Sequence, residues 1–226
     1  MEGTLQETGN RFRRGMTWAA LFILPMLFYP TAVSSPWVSN SDVHALLEFW
    51  AAATALVAGG VVLIHFFATG RRFFLLISLG FTLQGAEDLV HAVFSFSRIW
   101  PADRAGIGDF VPGTYVAGRL SLITCVFVGL YLVKTASVSR NRRREAIRYS
   151  AIGFLVAAAA TVILGNVPLP HFILPGRVIS RPVDFAGAIL YLTAFFCFVR
   201  LCRDEEHRTP FMWSMTASII FGFAAR

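Results

Sequence analysis

Charge is scarce in this chain: of 226 residues only 15% are Asp, Glu, Lys or Arg, while 56% are hydrophobic. A soluble globular domain of this length needs far more polar surface, so that class is excluded. Lysine is nearly missing. The formal charge of +7 comes from arginines and a single lysine, Lys134. Those arginines lie between apolar runs, not on one basic face, which argues for membrane topology and against a nucleic-acid partner. Cysteine is limited to Cys125, Cys197 and Cys202, with no CxxC pair and no framework spacing. These are small packing residues, not a redox or zinc motif. Alternating segments of about 10 residues, the mark of a membrane barrel, are absent. So are internal repeats, low-complexity tracts and any soluble domain. Residues 1 to 15 carry Arg11, Arg13 and Arg14 with no cleavage site after a short apolar region, so the first apolar run is expected to stay as an anchor.

What is present is apolar length. The mean hydropathy is +0.62, with 22 phenylalanines, and several runs reach the roughly 20 residues needed to cross a ~30 Å hydrocarbon core. The expectation is an all-α fold, a polytopic transmembrane helix bundle, because only helices and closed barrels satisfy their backbone groups in lipid. Six spans are readable, at 16 to 36, 44 to 67, 73 to 97, 115 to 136, 146 to 165 and 183 to 201. A seventh starts near Pro210 and stops at Arg226, so the transmembrane domain, 16 to 226, is expected to be cut short at its C-terminal end. Lys and Arg number 14 on the side of the N-terminal tail, 1 to 15, and 4 on the other. The N-terminus is therefore expected in the cytoplasm, in a multi-pass protein of a bacterial inner membrane.

Ionisable residues inside a span cost roughly 2.5–3.5 kcal/mol each on insertion scales, so each needs a partner or a role. The second span opens with His44 and Glu48, an i, i+4 pair on one helix face, and continues with Ala51, Ala55 and Gly59 as a ridge for close helix contact. On the third span Gln84, Asp88, His91 and Ser95 recur at helical spacing, with Glu87 beside them. A lipid-facing stripe of this kind is costly, so it is expected to face the bundle interior. The two spans share a short loop at Arg71 and Arg72 and should be antiparallel. At 1.5 Å per residue Glu48 lies roughly 28 Å from the loop end of its span and His91 roughly 27 Å from the start of the next. His44, Glu48, Asp88 and His91 therefore converge near the outer leaflet. Arg119, and Arg181 with Asp184, enter from the fourth and sixth spans as counter-charges.

Two readings of this cluster stand side by side. Two imidazoles and two carboxylates can hold a divalent transition metal, with haem between His44 and His91 as a lesser alternative. Equally, the arginines can neutralise the carboxylates in a hydrogen-bonded ion-pair network, and they would compete with a bound cation. His65 reads as an interfacial histidine, Trp37, Trp50 and Trp100 as an aromatic belt, and the run from Arg140 to Arg148 as a positive-inside signal open to anionic lipid.

The strings H-x-x-x-E at His44 and Glu48, D-L-V-H from Asp88 to His91, Y-V-A-G-R ending at Arg119, and R-P-V-D-F from Arg181 to Phe185 occur in one order. In that order they resemble the bacterial membrane-associated sensor (MASE-type) domains over residues 17 to 210. The resemblance implies a bundle of seven or eight transmembrane helices placed ahead of a histidine kinase or diguanylate cyclase module, generally as a dimer. It implies no catalytic activity in this segment. The expected function is thus a sensory input domain. Its ligands or gating groups are His44, Glu48, Asp88 and His91, with Gln84, Glu87, Arg119, Arg181 and Asp184 around the ligand. The rival is an intramembrane metal-dependent hydrolase using the same cluster, with Glu87 as base; a transporter is weakened by the missing repeat.

Overall fold

The computed structural model describes residues 41–95, 107–135, 137–166 and 182–201, and over them the chain is all-helical. Five helices follow in order: α1 (Ser41–Thr69), α2 (Arg72–Ser95), α3 (Ile107–Lys134), α4 (Arg142–Asn166) and α5 (Pro182–Leu201). There is no strand among the described residues. Four of the helices, α1 to α4, are long and apolar enough to cross a membrane, whereas the apolar stretch of α5, Phe185–Leu201, is shorter. The expected spans at 16 to 36 and from Pro210 lie outside the described residues.

Helix α2 is the axis of the assembly. Of its membrane-length window 61% is buried, against 11% for α4, because α1, α3 and α4 all pack on it. Lipid tails are as apolar as leucine, so such contacts rest on close approach of small residues, not on excluding water. On α1 the buried positions are Ala45, Ala52, Ala55, Gly59, Val62 and Phe66, a seam with alternating steps of three and four that continues through half-buried Glu48. This corrects the expected ridge, since Ala51 is exposed and its neighbour Ala52 is the one that packs. Ser78 Oγ of α2 donates to the Gly59 carbonyl at 2.8 Å, an interhelical bond that only a nearly bare backbone at Gly59 permits. A methyl group there would stand 2.7 Å from Thr82 Oγ1 and 3.2 Å from the Ser78 carbonyl.

At one end of the bundle Phe66, Phe73, Phe74, Ile77, Ile123, Val126, Tyr191, Ala194 and Phe198 form the apolar core. The Phe73 ring meets Phe74 edge-on at 5.1 Å and Phe198 at 6.3 Å, a geometry that aromatic quadrupoles favour. Below this core the two connections α1–α2 and α3–α4 are tied together. Helix α1 ends at Gly70, whose φ of 73° suits the left-handed cap that glycine adopts without strain. Arg71 then pairs with Val138 as an isolated antiparallel bridge, with Arg72 N donating to the Ser137 carbonyl at 3.1 Å and Ser139 N to the Gly70 carbonyl at 2.8 Å.

Candidate functional site

Two glycines bring the neighbouring helices onto α2 beside its polar stretch. A methyl at Gly85 would stand 3.0 Å from the Ala52 carbonyl of α1, and one at Gly118 would stand 3.0 Å from Glu87 Cβ and 3.4 Å from Gln84 Cα. Gly118 thus lets α3 lie against Gln84 and Glu87, which delivers the next residue, Arg119, to the same level. Glycine is needed here for space, not for unusual backbone angles.

Between those helices sit Asp88, 1% exposed, Glu87, 3%, and His91, 7%. Gln84 Nε2 donates to Asp88 Oδ2 at 3.2 Å, one helical turn away. Glu48 of α1, His91 of α2 and Arg119 of α3 all lie within electrostatic reach of the Asp88 carboxylate. Arg119 and a protonated His91 attract it and Glu48 repels it. Two buried acceptors, Asp88 Oδ1 and Gln84 Oε1, have no hydrogen-bond partner among the described residues. In a low-dielectric interior an unmet acceptor is costly, and it marks a place for a donor.

Glu87 faces elsewhere. Its carboxylate accepts from Thr161 Oγ1 of α4, at 3.3 Å and 3.5 Å to its two oxygens, while the same hydroxyl also contacts the Ala157 carbonyl at 3.0 Å. Thr161 carries no local signal that selects it: it lies 74 positions from Glu87, and a threonine in an alanine-rich helix has no distinguishing spacing. The stretch Ala157 to Thr161 does carry the signal of a small-residue face.

Of the other expected site residues, His44 lies in the first turn of α1 and Asp184 in the first turn of α5, and the side chains of both are outside the described residues, as is Arg181 altogether. Among the described residues no three His, Cys, Asp or Glu side chains group closely enough to hold a metal ion. Glu48, Asp88 and His91 therefore make no such set on their own, and a metal would need a further donor such as His44.

A second polar cluster holds the opposite end of α2. Arg72 grips Glu145 of α4 with two bonds, Nε to Oε2 at 2.8 Å and Nη2 to Oε1 at 2.7 Å, and reaches Ser137 Oγ with Nη1 at 2.9 Å. Arg142 folds back on the end of α1 and donates to the carbonyls of Phe67 and, at 3.2 Å, Ala68, closing acceptors that a helix C-terminus leaves open. No protein-family model, no curated protein and no solved structure matches the chain, so the functional reading rests on this geometry and on the motif order.

Proposed function

We propose that this chain is the membrane-embedded sensory input domain of a bacterial signal-transduction protein, of the membrane-associated sensor type. The observation that carries the reading is the buried acceptor pair Asp88 Oδ1 and Gln84 Oε1, without donors among the described residues and set among Glu48, His91 and Arg119 on three different helices. Two buried acceptors left open in this way suit a ligand that brings its own donor or positive charge. A metal ion or a small donor-bearing molecule bound there contacts α1, α2 and α3 together and so biases their packing. Shifts of about 1–2 Å between packed helices are enough to transmit a signal. The order of the four motif strings supports the assignment, as do the four helices fit to cross a membrane.

In this reading the protein sits in the inner membrane with its N-terminus in the cytoplasm, six spans and a seventh from Pro210. It acts as a homodimer and passes its signal to a C-terminal histidine kinase or diguanylate cyclase module. The test uses the full gene product in proteoliposomes. Asp88→Asn and Arg119→Gln are expected to move basal kinase or cyclase output at least threefold, while the exposed Val57→Ala leaves it unchanged. A reading frame that ends after one more helix, or output equal in all four proteins, overturns the proposal.

A further inference from the structure

The start of α4 is electrostatically inverted. Helix N-termini favour acidic side chains, yet the first turn here holds Arg142, Arg143 and Arg144, and its one acid is Glu145. That acid is fully engaged by Arg72, and Arg142 is engaged by the end of α1. Arg140, Arg143, Arg144 and Arg148 are left exposed, with no ion pair among the described residues. Asn141 fixes the backbone beneath them: its Oδ1 accepts from Arg144 N at 3.1 Å and its carbonyl from Glu145 N at 3.0 Å. The charges are therefore displayed on a pinned helix start, not on a loose loop.

An open cavity of ≈ 460 Å³ lies on this turn, lined by Asn141, Arg143, Arg144, Ile147 and Arg148. Arg144 and Arg148 are one helical turn apart on one face, and Ile147 beside them is exposed. Beyond that turn the exposed face of α4 becomes purely apolar, through Ile152, Phe154, Leu155 and Val156. Three guanidinium groups thus border a surface fit only for hydrocarbon. We infer that Arg143, Arg144 and Arg148 form a headgroup site for an anionic phospholipid of the adjoining leaflet, with the phosphodiester held by paired guanidinium N–H donors and the acyl chains lying along Ile147, Phe154 and Leu155. Arginine suits this task because its planar fork meets two phosphate oxygens at once. A soluble anion would use the charges but leave the apolar strip idle, and a basic nucleic-acid surface would have no reason to run into it.

The test is retention of phosphatidylglycerol by the purified full chain in mixed phosphatidylcholine nanodiscs, read by native mass spectrometry and by quenching with brominated phosphatidylglycerol. Arg144→Gln/Arg148→Gln is expected to weaken retention at least tenfold, whereas Arg140→Gln/Arg200→Gln, which removes the same charge elsewhere on exposed positions, changes it less than twofold. Arg144→Lys/Arg148→Lys, which keeps the charge and loses the fork, is expected to fall between. Equal losses in the two glutamine pairs would reduce the patch to a general surface charge and overturn the site. So would inorganic phosphate that displaces the lipid at equal concentration, since the apolar strip would then contribute nothing. Unchanged gel-filtration profiles and thermal transitions separate these results from misfolding.

Discussion

Arg72 and Glu145 are 73 positions apart in sequence and joined by two parallel hydrogen bonds of 2.8 Å and 2.7 Å. Together with the Arg71–Val138 bridge they make a clasp that ties the α1–α2 turn to the start of α4. The axis helix α2 is thereby anchored at one end, and its polar stretch near Asp88 lies at the other.

The clasp is expected to be worth little by itself and to be sensitive to salt. The two side chains remain 35% and 20% exposed, so a double-mutant cycle of Arg72→Gln and Glu145→Gln should give a coupling of about 1 kcal/mol. Unfolding in mixed micelles at low and high ionic strength checks it, since screening should shrink the coupling. A coupling that does not respond to salt would mean that the pair acts through its fork geometry alone.

Adjacent glycines in α1 should respond in opposite ways. A methyl at Gly59 meets Thr82 Oγ1 at 2.7 Å and two backbone atoms of α2 at 3.2 Å and 3.3 Å, while one at Gly60 meets nothing within 4 Å. Gly59→Ala is expected to destabilise the bundle by about 1–3 kcal/mol through overpacking. Gly60→Ala is expected to leave it unchanged or to stabilise it by up to about 1 kcal/mol, the helix-propensity difference. Thermal unfolding of the two variants in one detergent decides the matter. Equal effects would place the α1–α2 seam elsewhere.

Much of this architecture is readable from the residues, for a definite reason. Apolar runs broken by short arginine-bearing loops mark helices closely: the span expected at 44 to 67 is Ser41–Thr69, and that at 146 to 165 is Arg142–Asn166. The matching depths of Glu48, Asp88 and His91 follow from helical rise and a short loop, and the structure brings Glu48 and His91 within reach of Asp88. The facing residues are harder to read. Ala51, Ala52 and Ala53 are alike in size, so sequence spacing could start the small-residue ridge at any of them, and only packing selects Ala52. The clasp was hidden for a different reason. Arg71, Arg72 and the arginines after Arg140 all satisfy the positive-inside pattern, and that local explanation conceals the long-range pairing with Glu145 and Ser137.

Removing the counter-charge inside the bundle should cost more than removing the clasp. Arg119→Gln leaves the Asp88 carboxylate, 1% exposed, with Glu48 as a repelling neighbour and Gln84 as its hydrogen-bond donor. The expected loss is about 3 kcal/mol, the scale for stranding a buried charge. Adding Asp88→Asn should recover part of it, because the amide needs no counter-ion and can still bond to Gln84. Unfolding of both single variants and the double variant measures the coupling. Strict additivity would show that Arg119 serves some other group.

The sign of the ligand charge can be read from the same arginine. If the site beside Asp88 takes a divalent cation, Arg119 repels it, and Arg119→Gln should tighten binding by more than about tenfold, since one unit charge even ~10 Å away at an effective dielectric of ~20 contributes about 1.7 kcal/mol per unit of ligand charge. Asp88→Asn should abolish that binding, and Glu48→Gln and His91→Ala should weaken it. If the ligand is an anion or a neutral acceptor, Arg119→Gln should instead weaken it. Chelator-treated protein titrated with zinc, copper and ferrous ions, followed by metal analysis, absorption and thermal shift, provides the reading. A tighter site in Arg119→Gln that vanishes in Asp88→Asn identifies a cation held at Asp88. An absorption band near the Soret region lost with His91→Ala would point to haem. Absence of any uptake in wild type and Arg119→Gln alike would exclude the cation and leave donor-bearing organic molecules as the ligand class that fits Asp88 Oδ1 and Gln84 Oε1.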